Sequence, residues 1–62
     1  MPYVHVRVAG SLSRDQKARI AEEITRTLER VANKPPALTY VTIEEVLLEN
    51  WAVAGALLDD KG

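Results

Sequence analysis

Proline at position 2, directly behind Met1, is the residue of this chain best suited to move a proton. Once Met1 is removed, Pro2 carries a secondary amine at a chain end, a base the sequence offers nowhere else. An α-amino group titrates near ~7.7–8.0, and desolvation or a nearby cation brings it closer to neutrality. A general base works best with its pKa near the working pH. With Met1 attached, the same nitrogen belongs to a tertiary amide and is no base, so the chemistry is conditional on processing. Two aromatic residues could assist it. The Tyr40 phenol can donate a hydrogen bond to a developing oxyanion, and Trp51 can wall an apolar pocket that desolvates the amine. Both read equally well as side chains packed at a subunit interface. Leu12 reads first as an apolar loop contact. Arg7 lies about 16 Å along its strand from Pro2 at ~3.3 Å per residue, too far to assist the amine within one chain, so an interface role is expected.

Composition narrows the classes of function. A chain of 62 residues is expected to form one domain, 1–62, and 47% of it is hydrophobic, too much for disorder. So short a chain buries only about 60% of its unfolded surface when it folds alone. Extra stability then comes from disulfides, metal or oligomerisation. Cysteine is absent and His5 is the one histidine, so no metal site is expected and self-association is left. A formal net charge of -1 gives no electrostatic case for nucleic acid or an anionic membrane. No apolar run approaches the ~20 residues of a membrane span, and no signal-peptide pattern opens the chain. A soluble, cytoplasmic protein is expected.

The elements that must position these residues are legible from patterning. In Tyr3–Ala9, Val4, Val6 and Val8 alternate with Tyr3, His5 and Arg7, which predicts a strand. Ser13 with Gln16 three residues later forms a capping box, opening a helix from about Arg14 to Ala32. Ala21, Ile24, Leu28 and Val31, with Ile20 beside them, form its buried stripe, while Lys17, Arg19 and Arg26 are expected in water. Asn33 suits a C-terminal cap, and Lys34-Pro35-Pro36 stops the helix. Leu38–Leu47, rich in Thr, Tyr, Val and Ile, predicts a second strand. Strand–helix–strand in this order implies a right-handed crossover and a parallel pair. The apolar tail from Leu48 to Leu58, with Trp51 and Gly55, reads as a hairpin or strand lying on a neighbouring subunit. The fold class is therefore α/β (α+β).

Met1-Pro2, Ser13, Gln16-Lys17, Pro35, Val41, Ile43, Glu45, Trp51 and Gly55, in this order and over the whole length, form a pattern that resembles the 4-oxalocrotonate tautomerase family. The resemblance implies a β-α-β protomer that pairs into dimers and assembles to a hexamer. It also implies a cofactor-free isomerase whose N-terminal proline, here Pro2, moves a proton in an enol or unsaturated 2-oxo acid within a pocket shared between subunits. The chain departs from the family at two places. Leu12 and Tyr40 stand where members acting on dicarboxylates carry arginines, while Trp51 keeps the family's pocket aromatic in kind. Arginine binds carboxylate through a strong bidentate pair, so a monocarboxylate or aromatic enol is expected to be preferred over a dicarboxylate. The alternative reading is a companion subunit of a hetero-oligomer, completing a pocket whose arginines come from another chain. A binding module using the Trp51 tail as an adhesive surface ranks third.

Overall fold

The computed structural model describes residues 1–60. Strand β1 spans Tyr3–Ala9, helix α1 Arg14–Ala32 and strand β2 Tyr40–Val46, followed by a small hairpin of β3, Ala52–Val53, and β4, Ala56–Leu57. β1 and β2 pair in parallel, Tyr3 opposite Tyr40 through Ala9 opposite Val46. The backbone ladder runs one step further at each end, because the Tyr40 N–H donates to the Pro2 carbonyl at 2.9 Å and the Gly10 N–H to that of Val46 at 2.9 Å. The parallel pair, the single helix and the C-terminal hairpin agree with the sequence expectation.

Helix α1 starts where the capping box places it. Ser13 Oγ accepts from the Gln16 N–H at 3.1 Å, and Gln16 Oε1 accepts from the Ser13 N–H at 2.9 Å. Asn33 closes the helix in the left-handed conformation, φ 57°, with its N–H returned to the Leu28 and Glu29 carbonyls. Val4, Val6, Val8, Val41 and Ile43 are half-buried on the sheet face that the helix covers, with Ile20, Ala21, Ile24 and Leu28 opposite them. Val31 departs from the expected stripe and is 73% exposed. A helix of 19 residues is about 28 Å long against about 23 Å for a seven-residue strand, so the last turn overhangs the sheet.

The second strand is shorter than Leu38–Leu47. Pro36–Leu38 forms a 3-10 turn in which the Leu38 and Thr39 N–H groups donate to the Pro35 and Pro36 carbonyls. Thr39 Oγ1 also donates to the Pro35 carbonyl at 2.9 Å, so pairing with β1 begins only at Tyr40. The tail, expected as a hairpin or a strand, is a hairpin. Ala52 pairs with Leu57 and Val53 with Ala56. Ala54 and Gly55 both take positive φ, 55° and 84°, as a two-residue turn of the primed type requires.

The single chain has no closed core. None of the described residues is fully buried, and Met1, Tyr3, Val31, Leu38, Tyr40, Leu47 and Val53 are each at least half exposed. Its radius of gyration is 14.8 Å, whereas a compact domain of this length has about 11 Å. An amphipathic helix on a two-stranded sheet leaves the other sheet face and both strand edges open, and such surfaces are satisfied by association. Among the described residues, no helix is long and apolar enough to cross a membrane.

Candidate active site

Pro2 and Tyr40 meet at the N-terminal end of the parallel pair. Pro2 is half-buried, and the 2.9 Å bond from the Tyr40 N–H to its carbonyl fixes its position at the mouth of β1. The strand register sets Tyr3 directly beside Tyr40 on the face away from the helix. The Tyr3 hydroxyl lies 2.8 Å from Thr42 Oγ1 and is held by that bond. Two tyrosines thus neighbour Pro2 along the backbone, their side chains on the sheet face that is open in the single chain. Nothing in the sequence marks Tyr3 for a site, since only the register shows that it neighbours Tyr40.

Leu12 and Trp51 lie at the opposite end of the strands. The Leu12 N–H donates to Glu45 Oε2 at 2.7 Å, while Lys17 Nζ donates to Glu45 Oε1 at 2.7 Å. One carboxylate thus ties the β1–α1 loop and the first turns of the helix to the end of β2. The Lys17 hydrogen bond, and then that from Leu12, hold the Glu45 carboxyl below its ordinary value. In the sequence Glu45 is only one residue of the family pattern, and its ties to Leu12 and Lys17 come from the fold. Trp51 is half-buried and fixed on both sides of its own backbone. Its N–H donates to the Leu48 carbonyl at 3.3 Å, and its carbonyl accepts from the Leu58 N–H at 2.9 Å, closing the hairpin.

Trp51 and Ala52 line an open pocket of about 240 Å³ together with Arg7, Val46 and Asn50. Arg7 faces Glu44 across the strands, its Nε and Nη2 3.1 and 3.0 Å from Glu44 Oε1. His5 Nε2 is 3.1 Å from the same oxygen. Arg7, and to a smaller extent His5, hold the Glu44 carboxyl below its ordinary value. The sequence-predicted residues thus fall into two groups, Pro2 with Tyr40 and Leu12 with Trp51. Along β1, Pro2 and Arg7 are separated by about 16 Å at ~3.3 Å per residue, so a pocket containing both groups must draw on more than one chain.

A family model described as "Tautomerase enzyme" matches residues 2–61. The chain is 32% identical to a 2-hydroxymuconate tautomerase of Comamonas testosteroni over 62 residues, covering 100% of this chain and 98% of that protein. It is 34% identical to a probable tautomerase of Bacillus cereus over 61 residues, covering 98% and 100%. The crystal structure of YwhB, a homologue of 4-oxalocrotonate tautomerase, superimposes with a TM-score of 0.92 at 30% identity, covering 98% of this chain and 100% of that one. The chain belongs to the tautomerase family, within its 4-oxalocrotonate tautomerase group. That membership supports an isomerase of the tautomerase kind.

Proposed function

We propose that this chain, as the single domain 1–62 and after loss of Met1, is a cofactor-free tautomerase of the cytoplasm in which Pro2 is the general base. The substrate class is a monocarboxylic or aromatic enol of a 2-oxo acid. Neutral Pro2 takes the enol O–H proton, leaving an enolate paired with the protonated amine, and then returns the proton to carbon to give the ketone. The transfer changes no oxidation state, so no redox partner enters. Tyr40 donates its phenolic hydrogen to the enolate oxygen, and Trp51 and Leu12 of adjoining subunits close an apolar wall that lowers the amine pKa. Assembly is to a homo-oligomer, with a hexamer as its form. The companion-subunit role in a hetero-oligomer has no feature of the fold in its favour.

The observation that carries this reading is the backbone bond from Tyr40 that pins Pro2 at the end of the parallel pair, with Tyr3 and Tyr40 side by side in the register. Met1 is 81% exposed, open to a processing peptidase. Intact mass from the native host should show a chain lacking Met1. General-base catalysis contributes about 10²–10⁴-fold, so Pro2→Ala should lose at least ~100-fold in kcat/KM with phenylenolpyruvate. Full activity in Pro2→Ala refutes the mechanism. Faster turnover of 2-hydroxymuconate than of phenylenolpyruvate refutes the substrate class.

A further inference from the structure

The pocket at the C-terminal end of the strands offers more than an aromatic wall. Of its lining residues Arg7, Val46, Asn50, Trp51 and Ala52, only Arg7 carries a formal charge. A guanidinium has five N–H donors arranged in two forked edges. Arg7 turns Nε and Nη2 to a single oxygen of Glu44, which anchors the group from one side. Its side chain remains 58% exposed. Among the described residues Nη1 makes no hydrogen bond or ion pair, so the Nη1–Nη2 edge is available for a second carboxylate. Trp51, held on both sides of its backbone, gives a conjugated or aromatic group a flat surface in the same pocket. A cation fork beside an indole matches a planar carboxylate attached to an apolar body.

We propose that Arg7 is the carboxylate-binding residue of this site. Its free edge pairs with the single carboxylate of a 2-oxo acid whose apolar portion lies on Trp51, and the seat formed in one subunit serves the Pro2 amine of another. This inference rests on the tautomerase reading above and adds the residue that selects a substrate with one carboxylate. Glu44 acts as a positioning residue that presents the guanidinium, and His5, on the same Glu44 oxygen, supports it from the neighbouring strand position.

Trp51 is the one tryptophan of the chain, so its fluorescence reports the pocket directly. Titration with 3-phenylpropanoate, a carboxylate that cannot tautomerise, should change that signal saturably, and the uncharged 3-phenylpropanamide should bind at least ~10-fold more weakly. Because a charge-assisted pair of this kind is worth about 10- to 100-fold, Arg7→Gln should weaken the acid by that factor and leave the amide within about threefold. Glu44→Gln keeps the Arg7 charge and an acceptor oxygen for Nε and Nη2, so the guanidinium stays presented and the acid should bind as well as to wild type or better. In turnover, Arg7→Gln should raise KM for phenylenolpyruvate but not for its methyl ester. Where Arg7→Gln does not assemble, Arg7→Lys serves instead, since it keeps the charge, loses the fork and should weaken the acid at least about fivefold. Equal binding of acid and amide, or an equal loss in Arg7→Gln and Glu44→Gln, overturns the proposal. The titration is also run on Pro2→Ala. Retained turnover there defeats the tautomerase reading, while the fluorescence decides the carboxylate seat independently.

Discussion

Dilution is the perturbation to which this fold should be most sensitive. None of the described residues is fully buried in the single chain, and its radius of gyration, 14.8 Å, is well above that of a compact domain of the same length. Folding and association should therefore be one event, with stability set by protomer concentration. A tenfold dilution costs about 1.4 kcal/mol for each independent association step. Shared over the chains, that is about 0.7 kcal/mol per chain for a dimer and about 1.2 kcal/mol for a hexamer, whose assembly takes five such steps. At ~2.1 cal/mol/K per residue, unfolding 62 residues carries an entropy of about 130 cal/mol/K per chain. Each decade of dilution should then lower Tm by about 5 °C if the dimer is the cooperative unit and by about 9 °C if the hexamer is. Circular dichroism melts from about 1 to about 100 μM protein measure this, with sedimentation at each concentration and activity assayed in parallel. A Tm independent of concentration would refute the reasoning, because it would mean that the isolated chain is stable without a partner surface.

Acid should loosen the structure through two carboxyls held below their ordinary value of 4.5, Glu45 by Lys17 and the Leu12 N–H, and Glu44 by Arg7 and His5. A depressed carboxyl pKa contributes stability above the unfolded value, and that contribution is lost as pH falls from about 4.5 through the folded value. Urea midpoints at pH 7 and pH 4, at one protein concentration, should therefore differ less in Glu45→Gln than in wild type, and an unchanged difference would count against the Glu45 tie. Ala54→Gly should stabilise the hairpin, because a non-glycine residue in the left-handed region costs about 1–2 kcal/mol while glycine's extra unfolded freedom returns roughly 0.5–1 kcal/mol. A Tm rise of about 3–6 °C is expected, and a fall would mean that the Ala54 methyl packs against another subunit.

Much of the local structure follows from short-range rules. The valine alternation of β1, the Ser13–Gln16 box and Asn33 before the two prolines each depend on neighbours within four residues, so the strand, the helix and its limits were legible. The end of β2 nearest Pro36 was not, because Leu38 and Thr39 have strand-like side chains but donate their N–H groups to a 3-10 turn. Pro2 stands out by its chemistry alone. Its neighbours do not, since the pairing of Tyr3 with Tyr40 and of Arg7 with Glu44 depends on the register between segments more than thirty residues apart. The sequence by itself determined the order and type of the main elements and the one position, Pro2, where loss of Met1 would leave a secondary amine. Only the tertiary structure decided that Pro2 and Trp51 lie at opposite ends of the same strands, because a rigid parallel pair holds its two ends apart.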